Sequence, residues 1–283
     1  MGVRLADRGN LICDTLRSIR MFAGYSEAEL ARLRDAAQLW RFEKREILVS
    51  YGSELGGLWI LVEGSLLSHR DNSEGRRIIQ GIVMPGDPYG IVPLFDAKPA
   101  LTTLSARSDA LAVFLPRAPL LGALHNNADR LLDVVNYLTN RTRLDYERVQ
   151  MGFINSLRCQ LAKYIFYFSG ESFWPFFDGA VVDWSPPIAA TQEEIADMMG
   201  VSRQSVNELM TAMAREGVLK RSGSQFCVAD YLKLLAIIEE DEGAPPEWRA
   251  ILIARHEALA AKRSVSKPHR SDGRGIPGSG LAV

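Results

Sequence analysis

The stretch Thr191–Gly217, TQEEIADMMGVSRQSVNELMTAMAREG, constrains the fold most tightly, because it specifies two short helices and the turn between them. Thr191 followed three residues later by Glu194 is a capping box, in which hydroxyl and carboxylate each satisfy a free backbone N–H at a helix start. Ile195, Ala196 and Met199 form the buried stripe, Gly200 supplies a left-handed stop, Val201 plugs the turn and Ser202 caps the second helix. That helix buries Val206, Leu209, Met210 and Met213 at i, i+3, i+4, i+7. Arg203, Gln204, Ser205, Asn207, Glu208 and Thr211 are left for other work. This is the anatomy of a helix-turn-helix, whose second helix presents its N-terminal residues to base edges in a major groove. Any solvated helix face carries polar residues; two caps, a glycine turn and a clean stripe in sequence carry the DNA-binding reading.

The 283 residues are enough for two domains, and 47% hydrophobic with 24% charged residues is ordinary for a globular chain. Formal net charge is −1, so affinity for nucleic acid must come from a local basic face. No apolar run approaches the roughly 20 residues a bilayer span needs, and the N-terminus lacks an apolar signal core. The expectation is a cytoplasmic protein without membrane contact. Cys13, Cys159 and Cys227 lie far apart, outside any metal-ligand spacing, so they are expected to be reduced, partly buried thiols.

Residues 1 to 40 read as helical, with Ser26 and Glu29 starting a helix whose Leu30, Leu33 and Ala37 share a face. From Glu43 to about Pro116, short apolar runs (ILVSY, LWILV, SLLSHR, RRIIQGIVM, LTTLSA, LAVFL) alternate with turns, the pattern of an antiparallel β-roll or jelly roll. From about Pro119 to Phe153 the period is helical, and Leu124, Ala128, Leu131, Val135, Leu138, Thr142, Asp145 and Val149 read as a heptad seam for a parallel two-stranded coil. The competing reading is one amphipathic helix packed on its own barrel. Leu157, Leu161, Tyr164, Ile165 and Phe168 predict another amphipathic helix, followed by a loop and a strand over 181–184. After Gly217, VLKRSGSQFCVAD alternates around Gly223 as a hairpin. A basic-tipped hairpin after a helix-turn-helix makes a winged helix, with Lys220, Arg221, Ser222 and Ser224 placed to meet phosphates. Helices over 230–241 and from Pro245 to Arg263 follow.

The fold class is therefore α+β: a β-roll, a long dimerisation helix and a C-terminal winged helix-turn-helix. Expected boundaries are 1–118 for N-terminal helices and roll, 119–153 for the dimerisation helix, 154–232 for the DNA-binding unit, 233–263 for a helical extension and 264–283 for a disordered tail poor in core formers.

This order of parts over about residues 20 to 232 resembles the Crp/Fnr family of bacterial transcription regulators. TQEEIADMMGVSRQSVNELM carries the resemblance most specifically, supported by Gly52, Gly64 and Gly86 with Asp87. The resemblance implies a homodimer that binds double-stranded DNA at a two-fold symmetric operator and contacts RNA polymerase, with the roll sensing a ligand or redox state. It also assigns Arg203 as the base-reading arginine, whose fork suits guanine. Gln204 stands where many members have glutamate, and Glu208 where many have a second donor, so the operator need not follow the family consensus. Thr191 and Ser202 join Ser205, Asn207, Lys220 and Arg221 as expected DNA contacts.

The departures bear on the ligand. Cyclic-nucleotide-binding members carry a glutamate after a Phe-Gly or Ile-Gly pair and an arginine about ten residues later. Here the motif is Tyr89-Gly90-Ile91, and no arginine lies between Arg77 and Arg107. Burying a phosphate without its charge partner costs roughly 3 to 5 kcal/mol, so cAMP is not expected to bind. An iron-sulfur cluster needs several N-terminal cysteines where Cys13 stands alone. His69 as a haem ligand is set against a structural histidine, the more common case. Tyr89, Gly90, Ile91, Leu101, Thr102 and Thr103 then describe a pocket for a small neutral effector, or a cavity packed shut. No cofactor and no metal is expected. Two other classes compete: a cupin-like metalloenzyme, disfavoured because only His69 of 4 histidines lies in the roll, and a nonenzymatic ligand-binding signalling module, disfavoured by the DNA-reading helix.

Overall fold

The computed structural model describes residues 2–6, 10–73, 77–125, 127–169, 188–241 and 244–265. The N-terminal part begins with strand β1 (Val3–Leu5) and helices α1 (Leu11–Ser18) and α2 (Glu27–Ala36), the latter started by the expected Ser26–Glu29 capping box. Strands β2 (Gln38–Phe42), β3 (Ile47–Val49), β4 (Gly57–Glu63), β5 (Leu66–Asp71), β6 (Arg77–Val83) and β7 (Pro88–Tyr89) follow. A short helix α3 (Ile91–Asp96) precedes β8 (Thr103–Ala106) and β9 (Ala110–Pro116). Residues 1 to 40 are thus not all helical. β1 pairs with β2, and β2 pairs with β9 in the sheet centre.

Two antiparallel sheets build the roll, in the orders β1-β2-β9-β4-β7 and β3-β8-β5-β6. The five-stranded sheet is buried on both faces, which explains its unbroken apolar runs. Leu58 and Ile60 of β4, Val113 and Leu115 of β9 and Leu39 of β2 pack on the helices. Trp59, Leu61, Phe42, Ala110 and Ala112 alternate toward the second sheet. Between the sheets Trp59 stands 4.8 Å from Phe114 and 5.6 Å from Phe42, ring centre to ring centre. At the turn after β4, Gly64 has φ +87°, and a Cβ there would lie 2.2 Å from the Asp109 carbonyl oxygen, so only glycine fits.

One long helix over 119–153 was expected; the chain instead breaks into α4 (Arg117–Leu124) and α5 (Ala128–Ile154). His125 takes an extended ψ of 131°, and Asn127 restarts the helix by accepting from the Arg130 N–H at 3.2 Å. Such a cap competes with helix continuation. The seam is kept at Ala128, Val135, Thr142 and Val149 but shifts by one residue at the alternate positions, from Leu131, Leu138 and Asp145 to Leu132, Thr139 and Tyr146. Leu124 belongs to the α4 core and Leu138 packs on the roll, whereas Ala128, Leu132, Val135, Thr139, Thr142, Tyr146, Val149 and Phe153 lie on the outside. This stripe alternates spacings of four and three, as a coiled seam requires. Its large apolar members, Leu132, Val135, Tyr146, Val149 and Phe153, are 53% to 87% exposed. The opposite stripe, Val134, Tyr137, Leu144 and Met151, is buried.

The C-terminal part comprises α6 (Leu157–Phe168), α7 (Gln192–Met199), α8 (Arg203–Arg215), the hairpin of β10 (Leu219–Ser222) and β11 (Gln225–Val228), α9 (Tyr231–Glu239) and α10 (Pro246–Val265). α6 is not amphipathic: every residue from Cys159 to Phe168 is buried, because α7, α8, α9 and α10 enclose it. The loop and strand expected over 170–187 lie outside the described residues. So does the tail from 266 onward, while residues 264 and 265 belong to α10. Leu67, Ile79 and Ile82 on the outer face of the second sheet share one core with Leu144 and Met151 of α5 and with the C-terminal helices, so roll and C-terminal unit are packed together.

Candidate nucleic-acid interface

Thr191 and Glu194 form the capping box: the Thr191 hydroxyl accepts from the Glu194 N–H at 3.2 Å, and the Glu194 carboxylate accepts from the Thr191 N–H at 2.7 Å. Gly200 ends α7 at φ +68°, and Ser202 starts α8 by accepting from the Ser205 N–H at 3.0 Å. Val206, Met210 and Met213 are buried with Ile195 and Ala196, and Leu209 packs against them half-buried. This core turns Arg203, Gln204, Asn207 and Glu208 to solvent on one face of α8. Ser205 is half-buried, with its hydroxyl 2.8 Å from that of Ser202, so both serve the cap. Thr211, expected outside, is half-buried because its position on α8 brings it back toward the core.

Two hydrogen bonds order the exposed face. The Gln192 amide donates to Asn207 at 3.3 Å, tying the start of α7 to α8, and the Gln204 amide donates to Glu208 at 2.8 Å. Glu208 and Gln204 are therefore joined on the exposed face. The wing pairs Ser222 with Gln225 across Gly223 and Ser224, with Gly223 at φ +61° as a tight hairpin requires. Lys220, Arg221, Ser222 and Ser224 are exposed, and the Arg221 guanidinium lies 5.1 Å from the Phe226 ring centre.

A residue missed in the sequence completes this unit. Arg107, between β8 and β9, donates from Nε to Glu194 at 2.5 Å and from Nη2 to the other Glu194 oxygen at 2.8 Å. The same Nη2 reaches the Ala189 carbonyl at 2.7 Å. The pair is mostly shielded, with side chains 23% and 15% exposed. The fork of a roll arginine thus grips and neutralises the carboxylate that caps the first helix of the helix-turn-helix. Eighty-seven residues separate the two, so no local pattern announces it.

The expected effector residues assemble only in part. The Tyr89 hydroxyl donates to the Thr102 carbonyl at 3.0 Å and lies 2.7 Å from the Thr102 hydroxyl, which lies 2.8 Å from that of Ser68. Thr102 is 2% exposed, and burial raises the Tyr89 phenol above its ordinary range against the opposing pull of its bonds to Thr102. The others point elsewhere. Ile91 packs in the helix-facing core, because Gly90 at φ +100° turns the chain into α3 there. Leu101, in the bend before β8, is 57% exposed, and Thr103, the first residue of β8, accepts from the Tyr51 N–H at 3.1 Å. His69 is buried with Nε2 3.2 Å from the Ser105 hydroxyl; burial, then Arg77, lowers its pKa against the pull of Asp71. Among the described residues no three His, Cys, Asp or Glu side chains converge as a metal would need.

A roll of two antiparallel sheets, a long helix with a bare apolar stripe and a winged helix-turn-helix define the class of DNA-binding transcription regulators with a cyclic-nucleotide-binding-like domain. Residues 39–127 match the cyclic nucleotide-binding domain model, and residues 160–237 match the Crp-like helix-turn-helix domain. The chain belongs to the Crp/Fnr family of transcription regulators. It is 22% identical over 214 residues to the CRP-like cAMP-activated global transcriptional regulator of Mycobacterium tuberculosis, covering 76% of this chain and 94% of that one. Transcriptional regulator LdrP of Thermus thermophilus is 27% identical, over 73% of this chain and 98% of its own. The fold is shared with FixK2 from Bradyrhizobium japonicum, at TM-score 0.62 and 16% identity, over 74% of this chain and 98% of that one. Among the described residues no helix is long and apolar enough to cross a membrane.

If Arg107 holds the two parts together, Arg107→Ala will destabilise the folded chain by about 1.5–3 kcal/mol, the range for hydrogen bonds to charged groups. Glu194→Gln keeps an acceptor for the cap but removes the charge, and the two changes will be non-additive by roughly 0.5 kcal/mol or more in urea unfolding. Strict additivity would remove the clasp from the account.

Proposed function

We propose that the chain is a cytoplasmic homodimer that binds a near-palindromic operator and engages RNA polymerase there, without needing a cyclic nucleotide. The observation that carries this is the pairing of an ordered, exposed reading face on α8 with an exposed coiled seam on α5. The seam supports a two-fold partner, because apolar side chains left in water along seven turns gain about 25 cal/mol for each Å² they cover. A two-fold dimer sets two recognition helices about 34 Å apart, one turn of DNA, and so asks for half-sites about 10 base pairs apart. Arg203 reads a base, with guanine the partner its fork fits, while Gln204, Asn207 and Glu208 shape the rest of the half-site. Thr191, Ser202 and Ser205 at the helix starts, with Lys220 and Arg221 on the wing, hold phosphates.

The named relative from Mycobacterium is cAMP-activated. We do not extend that property to this chain. Tyr89-Gly90-Ile91 lacks the acidic partner for a ribose, the stretch from Leu101 to Thr103 lacks a cation for a phosphate, and the hydroxyls of Tyr89, Thr102 and Ser68 satisfy one another. Trp59, Phe42 and Phe114 pack the space between the sheets, which supports a filled roll over one that holds a small neutral effector. The same reading keeps the divisions 1–118, 154–232 and 233–263 for roll, DNA-binding unit and extension, and narrows the dimer helix from 119–153 to α5.

Selection of bound duplexes from a random pool by the purified protein will recover a near-palindrome. Against it, Arg203→Ala will lose roughly 1 to 3 kcal/mol and relax one position per half-site, whereas Lys220→Ala will weaken all sequences alike and shallow the salt dependence. Equal losses on selected and random DNA for Arg203→Ala would refute its assignment to a base.

The seam is tested by Val135→Asp with Val149→Asp, both on the exposed stripe and away from the roll core. Sedimentation is expected to show monomers with unchanged far-UV circular dichroism; an intact dimer would dismiss the seam. Millimolar cAMP will leave the thermal midpoint unmoved, since a ligand stabilises only what it binds. A rise of several degrees would overturn the reading of the roll interior.

A further inference from the structure

Helix α10 lies wholly beyond residue 237, where the match to the Crp-like helix-turn-helix ends. It packs against α9 and reaches α6 through Trp248 and Arg255. Trp248 is fully buried, 5.1 Å from the Phe166 ring and 5.2 Å from that of Tyr167. Further along, Arg255 donates to the Phe166 carbonyl at 3.4 Å and to the Ser169 hydroxyl at 3.2 Å, satisfying groups at the end of α6. What this helix covers includes a charge. Lys163 is 1% exposed, its ammonium lies 5.7 Å from the Trp248 ring centre, and it donates to the Asn155 side-chain oxygen at 2.8 Å.

Asn155 is the joint between the long helix and the DNA-binding unit: it caps the end of α5 in extended conformation, φ −94° and ψ 146°. Its backbone carbonyl accepts from the Gln160 amide at 2.9 Å. The next residue, Ser156, donates its N–H to Asp241 at 2.6 Å, just past the end of α9. Both residues of the joint are therefore held by groups of the C-terminal unit. An ammonium taken out of water is costly, and an apolar side chain of equal length would fill the same space without that cost. What the lysine adds is a directional bond to the joint.

We propose that Lys163, roofed by Trp248 of α10, is a positioning residue for operator recognition: it fixes the angle at which the winged helix leaves α5, and with it the half-site spacing the dimer accepts. The inference rests on the reading of the chain as a DNA-binding dimer. Two reading helices on rigid arms accept one separation, whereas a joint that yields by one base-pair rise, about 3.4 Å, accepts its neighbours as well.

The test uses the full-length protein and the duplex selected by the wild type, with the spacer kept or changed by one base pair, and a single half-site. Wild type is expected to prefer its own spacing by roughly tenfold, the order of one lost base contact. Lys163→Met and Asn155→Ala should each lose most of that preference while binding the single half-site as wild type does. Asn155→Asp, which keeps an acceptor for the ammonium, should restore it. If Lys163→Met fails to fold, Asn155→Ala against Asn155→Asp decides alone. Unchanged spacing preference in the folded variants overturns the proposal, and so does an equal loss on every duplex including the half-site, which marks a merely structural role. Failure of the wild type to select any duplex would instead overturn the DNA-binding reading beneath it.

Discussion

Helix α5 has to serve two neighbours along one face, and the arrangement of everything else follows from how it does so. Val134 and Tyr137 close the core of the roll, while Leu144 and Met151, two and four turns further on, close the core shared with the C-terminal unit. One rigid element thereby sets the distance between the roll's helices and the reading head. The cost of that service is an opposite face, Leu132 to Phe153, that no part of the chain covers among the described residues. Exposed apolar residues scattered singly need no explanation, but a contiguous stripe at alternating spacings of four and three does. Thr139 and Thr142 on the stripe bond their hydroxyls back to the Val135 and Leu138 carbonyls at 2.8 Å, so burying them would strand no donor.

The charges are arranged with similar economy. A chain of net charge −1 cannot hold DNA by its overall field, so acidic groups near the reading head must be tied off. Glu194 is tied to Arg107 and Glu216 to Arg158, whose fork holds its carboxylate below the usual range. Arg203, Lys220 and Arg221 stay exposed at the helix start and the wing. Glu193 in the first turn of α7 and Glu208 on α8 stay exposed, the latter accepting from Gln204.

Much of this was legible in residue order because it is local. Capping boxes, the Gly200 stop, the stripe of α8 and the hairpin at Gly223 each depend on residues within a few positions, and each formed as read. Strands with unbroken apolar runs were found; β2, QLWRF, was not, because five residues with an arginine and a glutamine show neither a run nor clean alternation. Half of the helix seam, Ala128, Val135, Thr142 and Val149, lies where it was read, and the alternate positions are one residue off since α5 carries two apolar stripes and only packing says which one meets the chain's own body. Ile91 and Leu101 misled for a related reason: a positive-φ glycine turns the first into the helix-facing core, and the second sits in the bend before β8. Arg107 with Glu194 and Lys163 with Trp248 are contacts between distant segments, and Lys163 reaches Asn155 across the break between α5 and α6, so no helical spacing announces them.

The account turns on two copies of the α8 face meeting one stretch of DNA together. Hydroxyl-radical footprinting of the purified protein on its selected duplex measures this directly. The account predicts two protected patches on one face of the helix, about 10 base pairs apart and mirrored on the two strands. A single patch without two-fold symmetry, or protection spread evenly along the duplex, would contradict it.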